Sequence, residues 1–132
     1  MSSTLNLDDS TVKKRIAKVV IDRADELRTK GPHYHWRTTE KGDKIYEHDG
    51  YKLTIKKSNT EGGSIVEYFE LEGQKPSGEY VRLFVAERAS TNGSRKFNIL
   101  PNVFINPFII WSDEVANLSK FIDVTKEVCL SA

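Results

Sequence analysis

Apolar positions recur along this chain with two different periods. Between Thr11 and Lys30 they fall at helical spacing, and Val12, Ile16, Val19, Val20, Ala24 and Leu27 share one face. Ser10 is a suitable N-cap, with Asp8 and Asp9 beside the positive end of the helix dipole. Gly31 offers a left-handed C-cap residue and Pro32 bars continuation. The opposite face carries Lys13, Lys14, Lys18, Asp22, Asp25 and Glu26, so a solvated surface is expected there.

From His33 the period changes to two. Segments His33–Thr38 and Lys44–His48 flank Glu40-Lys41-Gly42, which reads as a three-residue hairpin loop with Gly42 as the bulge residue. That loop pairs Trp36 with Tyr46 and Tyr34 with His48. The next turn, Asp49-Gly50, pairs His48 with Tyr51 and Tyr46 with Leu53. Both turns give one register. It gathers Tyr34, Trp36, Tyr46, Tyr51, Leu53 and Ile55 on one face, and His33, His35, Arg37, Glu47, Lys52, Thr54 and Lys56 on the other.

Further strands are expected at Ser64–Leu71, Glu79–Glu87, Arg95–Ile99 and Val103–Trp111. The loops between them are Ser58–Gly63, Glu72–Gly78 and Ala89–Gly93. Asn106-Pro107 bends the last strand or puts it at an edge. Ser112 then caps a final helix whose apolar stripe is Val115, Leu118, Phe121, Ile122 and Val128. The pattern predicts an α+β domain, an antiparallel β-meander of five to six strands flanked by an N-terminal and a C-terminal helix packed on one sheet face. Residues 1–132 form a single domain: 1–9 flexible, 10–31 helix, 33–111 sheet, 112–130 helix.

Composition agrees with one globular unit. The chain has 132 residues, 38% hydrophobic and 30% charged, which excludes a coiled coil and a disordered tail. No apolar run approaches the roughly 20 residues a membrane helix needs, and Met1–Asp9 lacks the basic and apolar regions of a secretory signal. A cytoplasmic, intracellular protein is expected. Cys129 is the single cysteine, so no internal disulfide or cysteine-based zinc site is possible, and it reads as a small core residue.

The net charge of +1 conceals an asymmetry. Residues 1–60 carry 13 Lys/Arg against 9 Asp/Glu, and residues 61–132 carry 7 against 10. A local field is therefore possible in a near-neutral chain.

Chemistry-bearing patterns are few. His33, His35 and His48 lie close in sequence, and a His-x-His strand beside a third His can hold zinc. In the three-residue-loop register His33 and His35 face away from His48, and only a two-residue loop would unite them, so no metal is expected. No nucleophile motif or phosphate loop is present; Glu61-Gly62-Gly63-Ser64 precedes a strand, where no helix N-terminus meets an anion. No catalytic residue and no cofactor is expected.

Cations interleaved with aromatic residues give the leading functional expectation. Arg37, Lys52, Lys56, Arg82, Arg95 and Lys96 would neutralise phosphates on a basic sheet face, and Tyr68 and Tyr80 would stack on bases. Arg88 and the loop Asn92-Gly93-Ser94-Arg95-Lys96 could add phosphate contacts. The run Phe108-Ile109-Ile110-Trp111-Ser112 leading into Val115, Leu118, Phe121 and Ile122 is similar in layout to the end of Whirly-like single-stranded nucleic-acid-binding units. Those are antiparallel meanders followed by a helix, and they dimerise; the long N-terminal helix here departs from that layout. The expected function is a non-enzymatic binding domain for single-stranded DNA or RNA. The alternative is a protein-interaction or inhibitor domain, host-directed in one version, that uses an edge strand or the apolar Pro101–Trp111 segment. A homodimer through Val103–Trp111 is also expected.

Overall fold

The computed structural model describes residues 9–90, 96–106 and 118–131. Its first element, α1, spans Ser10–Lys30. Asp9, rather than Ser10, is the N-cap: its Oδ1 accepts from the backbone N–H of Thr11 at 2.8 Å and of Val12 at 3.3 Å. The carboxylate thus satisfies two otherwise orphaned donors and meets the positive end of the dipole. The buried stripe is Ala17, Val20, Ile21, Ala24 and Leu27. It is rotated from the expected face, leaving Val19 45% exposed.

Gly31 ends the helix for a different reason from the one expected. Its φ is −81° and ψ 164°, an extended conformation open to any residue. What demands glycine is space: a Cβ there would lie 2.7 Å from the Leu27 carbonyl oxygen. The chain turns so tightly off α1 that no side chain fits.

His33–His35 form a single 3-10 turn, not the start of a strand. The sheet begins with β1, Trp36–Thr38, and continues through β2, Lys44–His48, and β3, Tyr51–Asn59. Next come β4, Ile65–Gln74, and β5, Tyr80–Ser90. β6, Phe97–Ile99, and β7, Phe104–Ile105, follow. Strands β1 to β6 pair in sequence order and β7 pairs with β5, so the meander is antiparallel throughout. Strands β3, β4 and β5 run past their expected ends because each of the added residues finds a ladder partner.

Both early turns form as the pattern indicates. Thr39 N–H bonds the Asp43 carbonyl at 2.9 Å across Glu40-Lys41-Gly42, and Gly42 has φ +87°. Asp49 and Gly50 have φ +51° and +81°, as a two-residue turn with both centres left-handed requires. The register pairs Trp36 with Tyr46, His48 with Tyr51, and Tyr46 with Leu53.

A bulge between Leu71 and Glu72 inserts Leu83 into β5. Leu83 and Phe84 are consequently both fully buried, and Arg82 is returned to the opposite face from Phe84. The core lies between the inner sheet face and the two helices. Phe69, Leu71, Phe84 and Ala86 meet Val20 and Ala24 of α1 and Leu118, Phe121 and Val128 of α2, which spans Leu118–Ser131. The predicted α+β architecture is therefore present. Val115 and Ser112, assigned to the last helix, and residues 107–111 of the apolar segment lie outside the described residues. Val103 and Ile105 of that segment belong to the core, while Phe104 is 43% exposed. No described helix is long and apolar enough to cross a membrane.

Candidate nucleic-acid interface

Strand alternation puts six of the expected contact residues on one side of the sheet, away from the helices. Arg37 of β1, Lys52 and Lys56 of β3, Tyr68 of β4, and Tyr80 and Arg82 of β5 all project from this outer face. Lys96 is exposed just before β6, and Arg95 lies outside the described residues.

The outer face is not uniformly basic. Cross-strand pairing sets Glu47 beside Lys52, Lys52 beside Glu72, and Glu72 beside Arg82, a row of alternating sign. Arg37 Nε bonds Glu47 Oε1 at 3.0 Å and Arg82 Nε bonds Glu70 Oε2 at 2.8 Å. The Tyr68 hydroxyl donates to Glu70 Oε1 at 3.2 Å. The rings are already in contact with cations, since Lys52 Nζ lies 5.5 Å from the Tyr80 ring centre and Lys56 Nζ 5.8 Å from that of Tyr68. With Glu87 beside Tyr68, the cations Arg37, Lys52, Lys56 and Arg82 share the face with the carboxylates Glu47, Glu70, Glu72 and Glu87. Its charge is balanced.

Arg88 serves the inside of the protein. It lies opposite Glu67 on the inner face, and its Nε bonds Glu67 Oε1 at 2.8 Å. Its two terminal nitrogens grip the Asp25 carboxylate at 2.8 and 3.0 Å. Arg28 bonds Glu67 Oε2 at 3.2 Å and also bonds Asp25. Asp25 therefore leaves the solvated face assigned to it and ties α1 to β4 and β5. Burial would raise the Asp25 pKa, but the hydrogen bonds and charges of Arg88 and Arg28 outweigh it and hold the carboxyl below its usual range. The guanidinium of Arg88 also lies 4.4 Å from the Phe97 ring centre.

That stack borders a concave site the strand pattern did not indicate. Thr11, Lys14, Arg15 and Lys18 from α1 and Phe97, Asn98 and Ile99 from β6 line a groove of about 640 Å³. No carboxylate is among the lining residues. Lys18 reaches away to Asp22 at 2.8 Å, an exposed pair; no ion pair of Lys14 or Arg15 occurs among the described residues. Phe97 is 43% exposed. The signal was in the sequence: positions 11, 14, 15 and 18 follow the i, i+3, i+4, i+7 rule, so three of the first helix's cations share a stripe.

The histidines divide. The 3-10 turn swings His35 against His48, with ring centres 4.2 Å apart, although the hairpin keeps the register in which they were expected to face opposite ways. The same turn leaves Tyr34, expected in the core, 82% exposed. Burial and the neighbouring His48 lower the His35 pKa, favouring its neutral form. His33 lies apart, beside Arg28, Trp36 and Lys44. No cluster of three or more His, Cys, Asp or Glu side chains suited to a metal ion occurs among the described residues. Cys129 is half-buried against the core, and burial pushes its thiol pKa up, which keeps it protonated and unreactive.

The strand-to-helix run that carries the Whirly-like layout falls at residues outside the description. No protein-family model, no curated protein and no solved structure matches this chain.

Proposed function

We propose that this protein is a non-enzymatic binding domain for single-stranded nucleic acid, with the groove between α1 and β6 as its contact surface. One observation carries the reading: Lys14 and Arg15, with Lys18 beside them, line with a half-exposed Phe97 a concavity that has no carboxylate among its described lining residues. Phosphates would exchange condensed counterions for the cations, and a base would stack on the ring face of Phe97 that Arg88 leaves open. The balanced outer face, with Tyr68 and Tyr80, is a secondary track along which a strand could continue.

Fluorescence anisotropy with mixed-sequence single-stranded oligonucleotides tests this. Binding should weaken steeply with salt, with log K falling by about 0.7 per phosphate contacted for each unit of log salt. The pair K14E/R15E should abolish it, whereas K52E/K56E should weaken it far less. No binding at low salt, or binding indifferent to K14E/R15E, overturns the proposal.

A second reading follows from the outer face itself. Equal numbers of cations and carboxylates, with Tyr68, Tyr80 and the exposed Phe104 among them, suit a protein partner better than a polyanion. Recovery of a stoichiometric, nuclease-resistant partner by the wild-type chain but not by Tyr80→Ala would favour it. Light scattering would show whether that partner is a second copy.

A further inference from the structure

We infer that the corner between the last turn of α1 and the β1–β2 hairpin is a binding site for a small anion built on a single aromatic ring. Arg28, His33, Trp36 and Lys44 line a cavity of about 260 Å³ there. Arg28, His33 and Lys44 carry basic nitrogen donors, and the fourth residue offers an indole whose N–H is turned to the Leu27 carbonyl. No carboxylate is among the cavity's described lining residues.

The geometry follows from features already described. Gly31 and Pro32 turn the chain sharply off α1, and the 3-10 turn delivers His33 and then Trp36 to the end of the helix. The Trp36 indole is fixed at its back by Tyr46, with ring centres 5.3 Å apart, and its Nε1–H points to the Leu27 carbonyl at 3.4 Å. A ring so held is a rigid wall. Lys44 stands on the same sheet face, since its partner Thr38 is two residues from Trp36.

The donors have separate roles. Arg28 is committed, with Glu67 and Asp25 taking its terminal nitrogens, so it lines the pocket and adds little net charge. Among the described residues the side-chain bond of Lys44 is to a neutral oxygen, Thr38 Oγ1 at 2.8 Å. Exchanging that hydroxyl for an anionic oxygen gives a charge-assisted bond, roughly twice as strong as a neutral one. His33 is exposed and can donate from its imidazole. A carboxylate or phosphate would therefore sit on Lys44 and His33, with its ring against Trp36. The volume is below the 300–1,000 Å³ usual for drug-sized ligands, which suits one ring and one acidic group. The site is thus distinct from the groove at the other end of α1.

Titration with phenyl phosphate, benzoate, inorganic phosphate and benzyl alcohol tests the inference, read by tryptophan fluorescence and calorimetry. Phenyl phosphate or benzoate should bind at least about tenfold more tightly than inorganic phosphate or the neutral alcohol. The better of the two acids identifies the acidic group. Lys44→Gln and His33→Ala alter exposed side chains, so both variants should fold, and each should weaken binding several-fold. Lys14→Glu should leave it unchanged. Equal affinity for ring-bearing and ringless anions, or binding insensitive to Lys44→Gln and His33→Ala together, overturns the inference.

Discussion

Strands β4 and β5 carry an arginine–glutamate pair on each face, and the two pairs have the same length. On the inner face Arg88 meets Glu67 at 2.8 Å, with side chains 12% and 6% exposed. On the outer face Arg82 meets Glu70 at 2.8 Å, with side chains 57% and 17% exposed. Distance does not separate them; environment and connectivity do. The inner pair is extended by Asp25 and Arg28 into a network that joins α1 to the sheet, beneath which both guanidinium groups approach the Phe69 ring. The outer pair stands in water, where screening and side-chain entropy cancel most of its attraction. One sheet therefore uses the same chemistry as a structural clasp on one side and as a solvated surface on the other.

The strongest way to break this comparison is to remove the clasp's centre. Arg88→Ala leaves Glu67 buried beside Asp25 with only Arg28 to balance both. Stranding a buried charge costs about 3–5 kcal/mol; because Asp25 is 38% exposed, about 2–4 kcal/mol is expected in urea unfolding. A shared replacement sharpens the point: Arg88→Met and Arg28→Met with Glu67→Leu and Asp25→Asn removes all four charges together and should cost much less than Arg88→Ala alone. If Arg88→Ala costs no more than an outer-face substitution, the clasp does not exist as described.

Gly31→Ala attacks the same joint sterically. The added Cβ would sit 2.7 Å from the Leu27 carbonyl oxygen, so the last turn of α1 must shift relative to β1. Overpacking of this kind costs about 1–3 kcal/mol, partly offset by the lower entropy of the unfolded alanine chain. A net loss of about 1 kcal/mol is expected, with binding at the distant α1–β6 groove unchanged.

Acid should loosen the clasp. The Asp25 pKa is lowered in the fold from an ordinary 3.8, because Arg88 and Arg28 outweigh the opposing effect of burial. A carboxyl with a depressed folded pKa contributes stability that is complete above its unfolded value and is lost as pH falls below it. The urea midpoint should therefore drop below about pH 4, and the drop should shrink in Asp25→Asn. His35 adds a smaller step at higher pH. Burial and His48 lower its pKa from 6.5, so its contribution is present above that value and is lost as pH falls through the shifted one. His48→Gln removes the neighbouring charge and should reduce that step, while the effect of burial remains.

The same contrast explains what could be read from the chain. The hairpins were legible because Glu40-Lys41-Gly42 and Asp49-Gly50 are local devices: glycine or aspartate in a left-handed conformation fixes register over a few residues. The α+β layout was legible because period 3.6 and period 2 each need only one segment. The clasp was not, since Asp25, Arg28, Glu67 and Arg88 look like ordinary surface charges until β4, β5 and α1 are superposed in space. The bulge at Leu83 hid the faces of β5 in the same way: strict alternation places Arg82 with Phe84, and only the extra residue separates them. Tyr34 and His35 were misplaced because Pro32 favours a turn over an immediate strand, which moved both rings. The cations Lys14, Arg15 and Lys18 were visible as a helical stripe, but their groove depends on β6 packing beside α1. The strand pattern put Glu47 on one face with Arg37, Lys52 and Lys56, but Glu70, Glu72 and Glu87 join that face only through the pairing of β3 with β4 and β4 with β5.

The smallest expected effect is on that outer face, and its smallness decides how the face is interpreted. Arg82→Ala removes one member of the Glu70 pair, yet the Glu70 carboxylate can turn to water or keep the Tyr68 hydroxyl as a donor. Neither partner is stranded, so the urea midpoint should not move measurably. A double-mutant cycle between positions 70 and 82 should likewise give a coupling near zero, against a large one between 67 and 88. A large outer coupling would mean that Glu70 and Arg82 hold each other rigidly enough to present a fixed charge pattern to a protein partner. A negligible one would mean that the pair dissolves readily, leaving Arg82 free to follow a nucleic-acid strand that leaves the α1–β6 groove.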